Sequence, residues 1–290
     1  MIKKIRITQD LFSQYAKAFL GGLLSGLCLF EGVSTLMPVS IALLWSSSKN
    51  PFSGFIWGGV AVLYSHKWLL ALHPLSWIGI NSYLSLPISI FVWLFCGLFG
   101  GLLVFFWSWL FHRATEFLDC DKSFFFKILL ALFFSIIWGL SEVFLSQGPL
   151  FWIGIGGSLL PENIWLAGWA RVFGAGGLAV IQILIGWWIW QLFIVFPRRN
   201  QFQKLFLYGC ILLLLGHILG RNLIDDRIPT KSINVALWQS NIPIREKYSR
   251  EQLISLPSRI KSVLLKAKES EAFVLVAPEG TLLSNTSLLE

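Results

Sequence analysis

The sequence predicts a multi-span α-helical membrane domain of about seven helices, residues 1–220, followed by the start of an α/β domain, residues 221–290. Three observations predict it. Of the 290 residues, 56% are hydrophobic and 13% charged, about half the charge of an ordinary soluble domain, and the mean hydropathy is +0.70. Fourteen of the 15 Trp residues precede position 200. Charge is unevenly placed as well: residues 1–220 carry 13 basic and 7 acidic side chains, residues 221–290 carry 10 and 8. This composition excludes a disordered chain, a disulfide scaffold and a simple soluble enzyme.

Crossing the hydrocarbon core takes about 20 predominantly apolar residues. Seven runs qualify as spans, at 13–30, 34–48, 52–66, 86–111, 124–145, 172–196 and 204–220, the second and third being short. Met1-Ile2-Lys3-Lys4 before an apolar run has the look of a signal peptide, but no small-x-small cleavage site follows, so a retained first span is expected. Lys and Arg of short loops stay cytoplasmic. With the N-terminus inside, the inner segments hold Lys3, Lys4, Arg6, Lys17, Lys49, Arg113, Lys122, Lys127, Arg198, Arg199 and Lys204, and the outer loops hold only Lys67 and Arg171. Seven crossings from that start leave residues 221–290 outside the cytoplasm.

Two outer loops stand out: residues 67–85, with Trp68, His73, Pro74, Trp77 and Tyr83, and the Gly-, Pro- and Trp-rich residues 146–171. Such Trp residues read either as an aromatic belt at headgroup level or as part of a re-entrant loop shaping a lipid-entry site. Irregular backbone survives at membrane depth only when protein or water covers it. Glu142, near the outer end of the fifth span, either reaches the headgroups or packs and positions the following loop. Glu31 lies in the short turn between the first two spans, where a solvated carboxylate is the simpler reading. Cys28, Cys96, Cys120 and Cys210, and His66, His73, His112 and His217, show no metal or redox spacing, so no metal site and no cofactor are expected. The net charge of +8 does not predict nucleic-acid binding, because the basic residues flank hydrophobic spans and the tail is nearly balanced.

Past Arg221 the periodicity changes. Ser232–Gln239 alternates apolar with small or polar residues and predicts a strand, and Asn241 and Pro243 punctuate a loop. Ile260, Val263, Leu264 and Ala267 form a helix face. That helix begins either at Ser249, which has capping-box spacing to Gln252, or at Pro257, which suits a first helical position. Lys266 and Lys268 fall in its last turn, where cations complement the helix dipole. The continuous apolar run Ala272–Ala277 predicts a strand buried on both faces, ending at Pro278-Glu279-Gly280. A strand, a helix and a strand make a βαβ unit with parallel strands and a right-handed crossover. Glu279 falls just past a strand's carboxyl end, where ligands bind in open α/β sheets; a solvated turn residue is the alternative. One βαβ unit is too small to bury a sufficient core alone, so the α/β domain is read as unfinished.

These residues resemble a known family. The strand with Gln239-Ser240-Asn241-Ile242-Pro243, the pair Lys247-Tyr248 and the strand ending in Pro278-Glu279 are similar to the opening of the nitrilase-like (carbon–nitrogen hydrolase) domain of bacterial apolipoprotein N-acyltransferases. Ser240 stands for the usual Gly, Tyr248 for Trp, and Gly280-Thr281 for Thr-Ala. In the membrane part, Trp138 with Glu142 and Pro149 with Gly154 match the family's pattern, while Leu145 stands where an Arg is usual. The resemblance implies an α-β-β-α nitrilase-like domain after the helices. It implies transfer of an acyl chain from a phospholipid to the α-amine of a lipoprotein's diacylglyceryl-cysteine, through a Cys thioester, in the bacterial plasma membrane. Glu279 would be the general base. By family order the oxyanion-stabilising Lys and the nucleophilic Cys follow that Glu, so the chain by itself is expected to be inactive, its domain completed by further sequence or by a second polypeptide. A non-catalytic membrane protein, a transporter or a lipid-binding remnant, is the alternative from another class.

Overall fold

A computed structural model of the chain describes residues 2–118, 123–148, 154–160, 162–224, 232–242, 246 and 249–278. Helices occupy all seven predicted span regions. They are α1 (Ile2–Glu31), α2 (Met37–Ser47), α3 (Pro51–Ser65), α4 (Ser82–Phe117), α5 (Phe124–Leu145), then, after the short α6 (Ile164–Ala167), α7 (Ala170–Val195) and α8 (Arg199–Leu223). Four of them, α4, α5, α7 and α8, are long and apolar enough to cross a membrane. At 1.5 Å per residue, α2 with 11 residues and α3 with 15 fall short of a hydrocarbon core about 30 Å thick.

The chain divides into two compact units, Met1–Leu69 with Phe91–Asp225, and Leu70–Ile90 with Asp226–Glu290. In the first unit, α1 packs along α3 through small residues, the usual way helices approach closely where no hydrophobic force separates lipid from protein. At Gly22 a Cβ would fall 2.6 Å from the Trp57 carbonyl oxygen, so only glycine fits this crossing. Tryptophan fills the interior. Trp45 is fully buried; its ring meets Trp107 and Phe111 edge-on at 4.9 and 5.0 Å and stacks on Trp190 at 6.2 Å. Its indole N–H donates to the Ile183 carbonyl at 3.1 Å, as Trp107 does to Phe134 at 3.0 Å and Trp57 to Ser40 at 3.2 Å. Buried indoles need a partner for that N–H, and here each ties one helix to the backbone of another. These three tryptophans, all within predicted spans, therefore serve packing. Glu31, the last residue of α1, pairs with Lys67 at 3.7 Å, whose ammonium lies 4.0 Å over the Phe30 ring and 4.4 Å over that of Tyr64.

In the second unit, β1 (Val235–Leu237) and β2 (Val274–Val276) pair in parallel, Val235 opposite Val274, on either side of α9 (Arg250–Glu269). Of the two predicted starts for this helix the structure has Ser249, whose side chain accepts from the Gln252 amide at 3.3 Å. Pro257 lies inside the helix, at a position where it lacks the amide of the regular ladder. Replacing Ser249 by alanine is expected to cost α9 about 1 kcal/mol, seen as faster amide exchange over residues 250–254; unchanged exchange would contradict the cap. Among the described residues the sheet has two strands, and Val274 and Val276 are 38% and 49% exposed, so the burial on both faces expected of β2 is not reached within these residues.

Candidate functional site

Within the first unit lies a cavity of about 240 Å³, walled by α1, α3, α4, α5 and the turn at 154–155. Its walls are largely apolar: Leu29, Trp57, Ala61, Phe95, Phe99, Val104, Trp107 and Trp138. Polar groups also reach it, among them Ser25, Ser65, His66, Cys96, Ser141 and Glu142. An apolar pocket with a few convergent polar groups is the usual form of a small-molecule site, and this one has the chemistry to hold hydrocarbon.

Glu142 defines the polar side. Trp138 and Glu142, four residues apart on α5, share a helix face, and the Trp138 indole N–H donates to Glu142 Oε1 at 2.9 Å. The chain then turns back. The Ile155 amide donates to the same oxygen at 2.8 Å and the Gly156 amide to Oε2 at 3.4 Å. Gln182 of α7 grips the turn from its other side, its Nε2 donating to the Ile155 carbonyl at 3.0 Å and to Ser158 Oγ at 2.8 Å. The turn continues as a short 3-10 helix, Gly156–Leu159. Facing it, α7 is interrupted at Gly174 (φ 64°, ψ −170°), a conformation nearly restricted to glycine. Farther along, Glu162 accepts from Ser34 Oγ at 2.8 Å and from the Thr35 amide at 3.2 Å.

Of the two readings of Glu142, the geometry selects the loop-positioning one: at 8% exposure the side chain does not reach headgroups. The structure brings Trp138, Glu142 and Gly154 to one cavity wall, while Pro149 lies outside the described residues. Leu145, where the resembled family carries Arg, lines the same cavity. Asn241 adopts a left-handed φ of 50°, which Asn tolerates better than most residues. Glu279, Pro243, Lys247 and Tyr248 lie outside the described residues, whereas Pro278 is described two residues past β2. Three histidines have polar side-chain neighbours: His66 Nδ1 lies 2.9 Å from Ser65 Oγ, His73 Nδ1 2.8 Å from Ser85 Oγ, and His217 Nε2 3.0 Å from Asn163 Nδ2. Among the described residues, no group of three or more His, Cys, Asp or Glu stands where it could hold a metal ion. Sequence reasoning missed Gln182. The available signal was a primary amide in the middle of an apolar span, where a polar side chain needs a partner.

Fold and site together define a helical membrane protein whose bundle encloses a mostly apolar cavity with one hydrogen-bonded polar side. No family model matches the chain. Curated relatives do. The chain is 41% identical over 290 residues to an apolipoprotein N-acyltransferase of Prochlorococcus marinus (strain SARG), covering 98% of this chain and 58% of that protein. To those of Prochlorococcus marinus (strain MIT 9313) and Parasynechococcus marenigrum (strain WH8102) it is 44% and 42% identical, covering 93% and 94% of this chain and 54% and 57% of theirs. Over nearly its whole length the chain is thus similar to proteins named apolipoprotein N-acyltransferase. It spans about half the length of the curated relatives it matches and corresponds to their amino-terminal portion.

Proposed function

We propose that residues 1–290 are the membrane part and the first βαβ unit of the nitrilase-like domain of an enzyme that acylates lipoproteins at their N-terminal diacylglyceryl-cysteine. The observation that carries this reading is identity of 41–44% to three relatives of that name over 93–98% of the chain. In this reading residues 1–220 cross the bacterial plasma membrane seven times from a cytoplasmic N-terminus, and residues 221–290 stand on the outer side. The acyl donor is a membrane phospholipid. With Glu279 as the base that takes the thiol proton, a Cys thiolate attacks the donor's ester carbonyl; the ester C–O bond breaks, the lysophospholipid leaves as an alcohol carrying that proton, and the acyl chain stays on sulfur as a thioester. A Lys stabilises the oxyanion where charge develops, and the acceptor amine then displaces the Cys. Neither a metal nor a nucleotide is needed for these steps. The Lys and Cys belong to the length of the relatives that this chain does not span, or to a second polypeptide carrying it. Residues 1–290 by themselves therefore take up no acyl label from phospholipid.

The cavity suits the donor's hydrocarbon. Cys96, on its wall, reports on occupancy. In detergent, with Cys28, Cys120 and Cys210 replaced by Ser, maleimide labelling of Cys96 is expected to slow several-fold when dipalmitoylphosphatidylglycerol is added. A rate indifferent to phospholipid would remove the cavity from the account. A covalent acyl adduct on residues 1–290 alone would contradict the assignment of the nucleophile.

A further inference from the structure

Ile155 is held from both sides. Its N–H is bound by Glu142 of α5 and its carbonyl by Gln182 of α7, and Ser158 Oγ closes onto the same carbonyl at 2.7 Å. Glu142, at 8% exposure, and Gln182, fully buried, come from different helices, yet their polar atoms converge on one residue of the turn between those helices. Ile155 itself is buried at 4% exposure and forms part of the cavity wall. The two Glu142 oxygens already accept from three N–H groups, the Trp138 indole among them. A carboxyl group so engaged is occupied as an acceptor and poorly placed to take a proton from a reactant.

We propose that Glu142 and Gln182 form a clamp that fixes the turn 154–159 as a wall of the cavity, making them positioning residues for the cavity's occupant rather than catalytic ones. That occupant rests on the lipid reading above; the clamp itself does not. The physical ground is the asymmetry of buried hydrogen bonds. Removing the acceptor leaves the buried Ile155 and Gly156 amides and the half-buried Trp138 indole N–H unpaired, and the cheapest way to satisfy the two amides is to let the turn move out to water. The packing of α5 on α7 does not depend on those bonds, so the wall should loosen while the bundle persists.

The test places a cysteine at Leu159, buried in the turn and outside the clamp's hydrogen bonds, in the 290-residue chain with its native cysteines replaced by Ser, and follows maleimide labelling in detergent. Glu142→Leu, close in volume but without an acceptor, is expected to raise the labelling rate about tenfold or more with the helical circular dichroism retained. Glu142→Gln is expected to restore most of the protection, since its amide oxygen still accepts from the Ile155 and Trp138 N–H groups. A cysteine at the exposed Leu160 should label at one rate in all three backgrounds. Labelling of residue 159 unchanged by Glu142→Leu would overturn the clamp. Should that variant fail to assemble, Gln182→Leu, which releases the turn from its other side, carries the same expectation and the same contrary outcome. No lipid enters this measurement, so its failure leaves the lipid reading intact. Failure of phospholipid to protect Cys96 would strike the lipid reading and leave the clamp standing.

Discussion

Glu279→Gln is expected to lower acyl transfer by a factor of about 10² to 10⁴, the usual contribution of a positioned general base. The measurement requires the whole reaction set, so residues 1–290 are joined to the remaining carboxyl-terminal length of the Prochlorococcus marinus relative to which they are 41% identical. The loss should fall on kcat rather than KM. The amide keeps the size and hydrogen-bonding reach of the side chain but cannot take the thiol proton. Glu279→Asp, which retains a carboxylate set back by one methylene, should lie between the two. A Glu279→Gln chimera that transfers at the parent rate would return Glu279 to the reading of a solvated turn residue.

Trp45→Ala is expected to destabilise the helical bundle by about 3–5 kcal/mol, the range for a large aromatic deleted from a core. The side chain is fully buried, sits among Trp107, Phe111 and Trp190, and donates to the Ile183 carbonyl. Little can collapse into the gap, because its neighbours are rigid rings held by their own contacts. Trp45→Phe separates the two contributions. It keeps an aromatic ring and loses the interhelical hydrogen bond, a class of interaction worth about 0.6 kcal/mol and at most about 1.7 in a membrane protein. Denaturant titration of the purified protein in mild detergent reads both. Equal losses for the two variants would mean that the hydrogen bond, not ring packing, holds α2 to α7.

The order of elements is legible in the sequence because hydropathy reports which stretches avoid water. Helix ends are not, because a helix continues past its apolar stretch wherever the flanking residues accept it. Thus α1 begins at Ile2 in a charged segment rather than near residue 13, and α4 runs on to Phe117. In that extension His112 and Arg113 approach Glu116 at 3.4 and 3.6 Å, from four and three residues away, the spacing that supports a polar helix. In the α/β part, Ser249 signals its cap by a local spacing. The burial of β2, by contrast, depends on what lies over it, which no property of Ala272–Ala277 encodes. The site divides the same way. The four-residue spacing of Trp138 and Glu142 puts both on one face. Their partners at Ile155 and Gly156, and the opposing grip of Gln182, are tertiary contacts between segments whose Gly-, Pro- and Trp-rich connection has no regular period to read.

The most direct test of the central claim is mass spectrometry of an acceptor peptide bearing an N-terminal diacylglyceryl-cysteine. The peptide is incubated with phosphatidylglycerol vesicles of defined acyl composition and the membrane-inserted chimera of residues 1–290. The expected product carries one added acyl chain of the donor's mass, linked as an amide at the α-amine, and is lost with Glu279→Gln. An inserted, folded chimera that leaves the peptide unmodified, or that acylates it equally well without the Glu279 carboxylate, would contradict that claim.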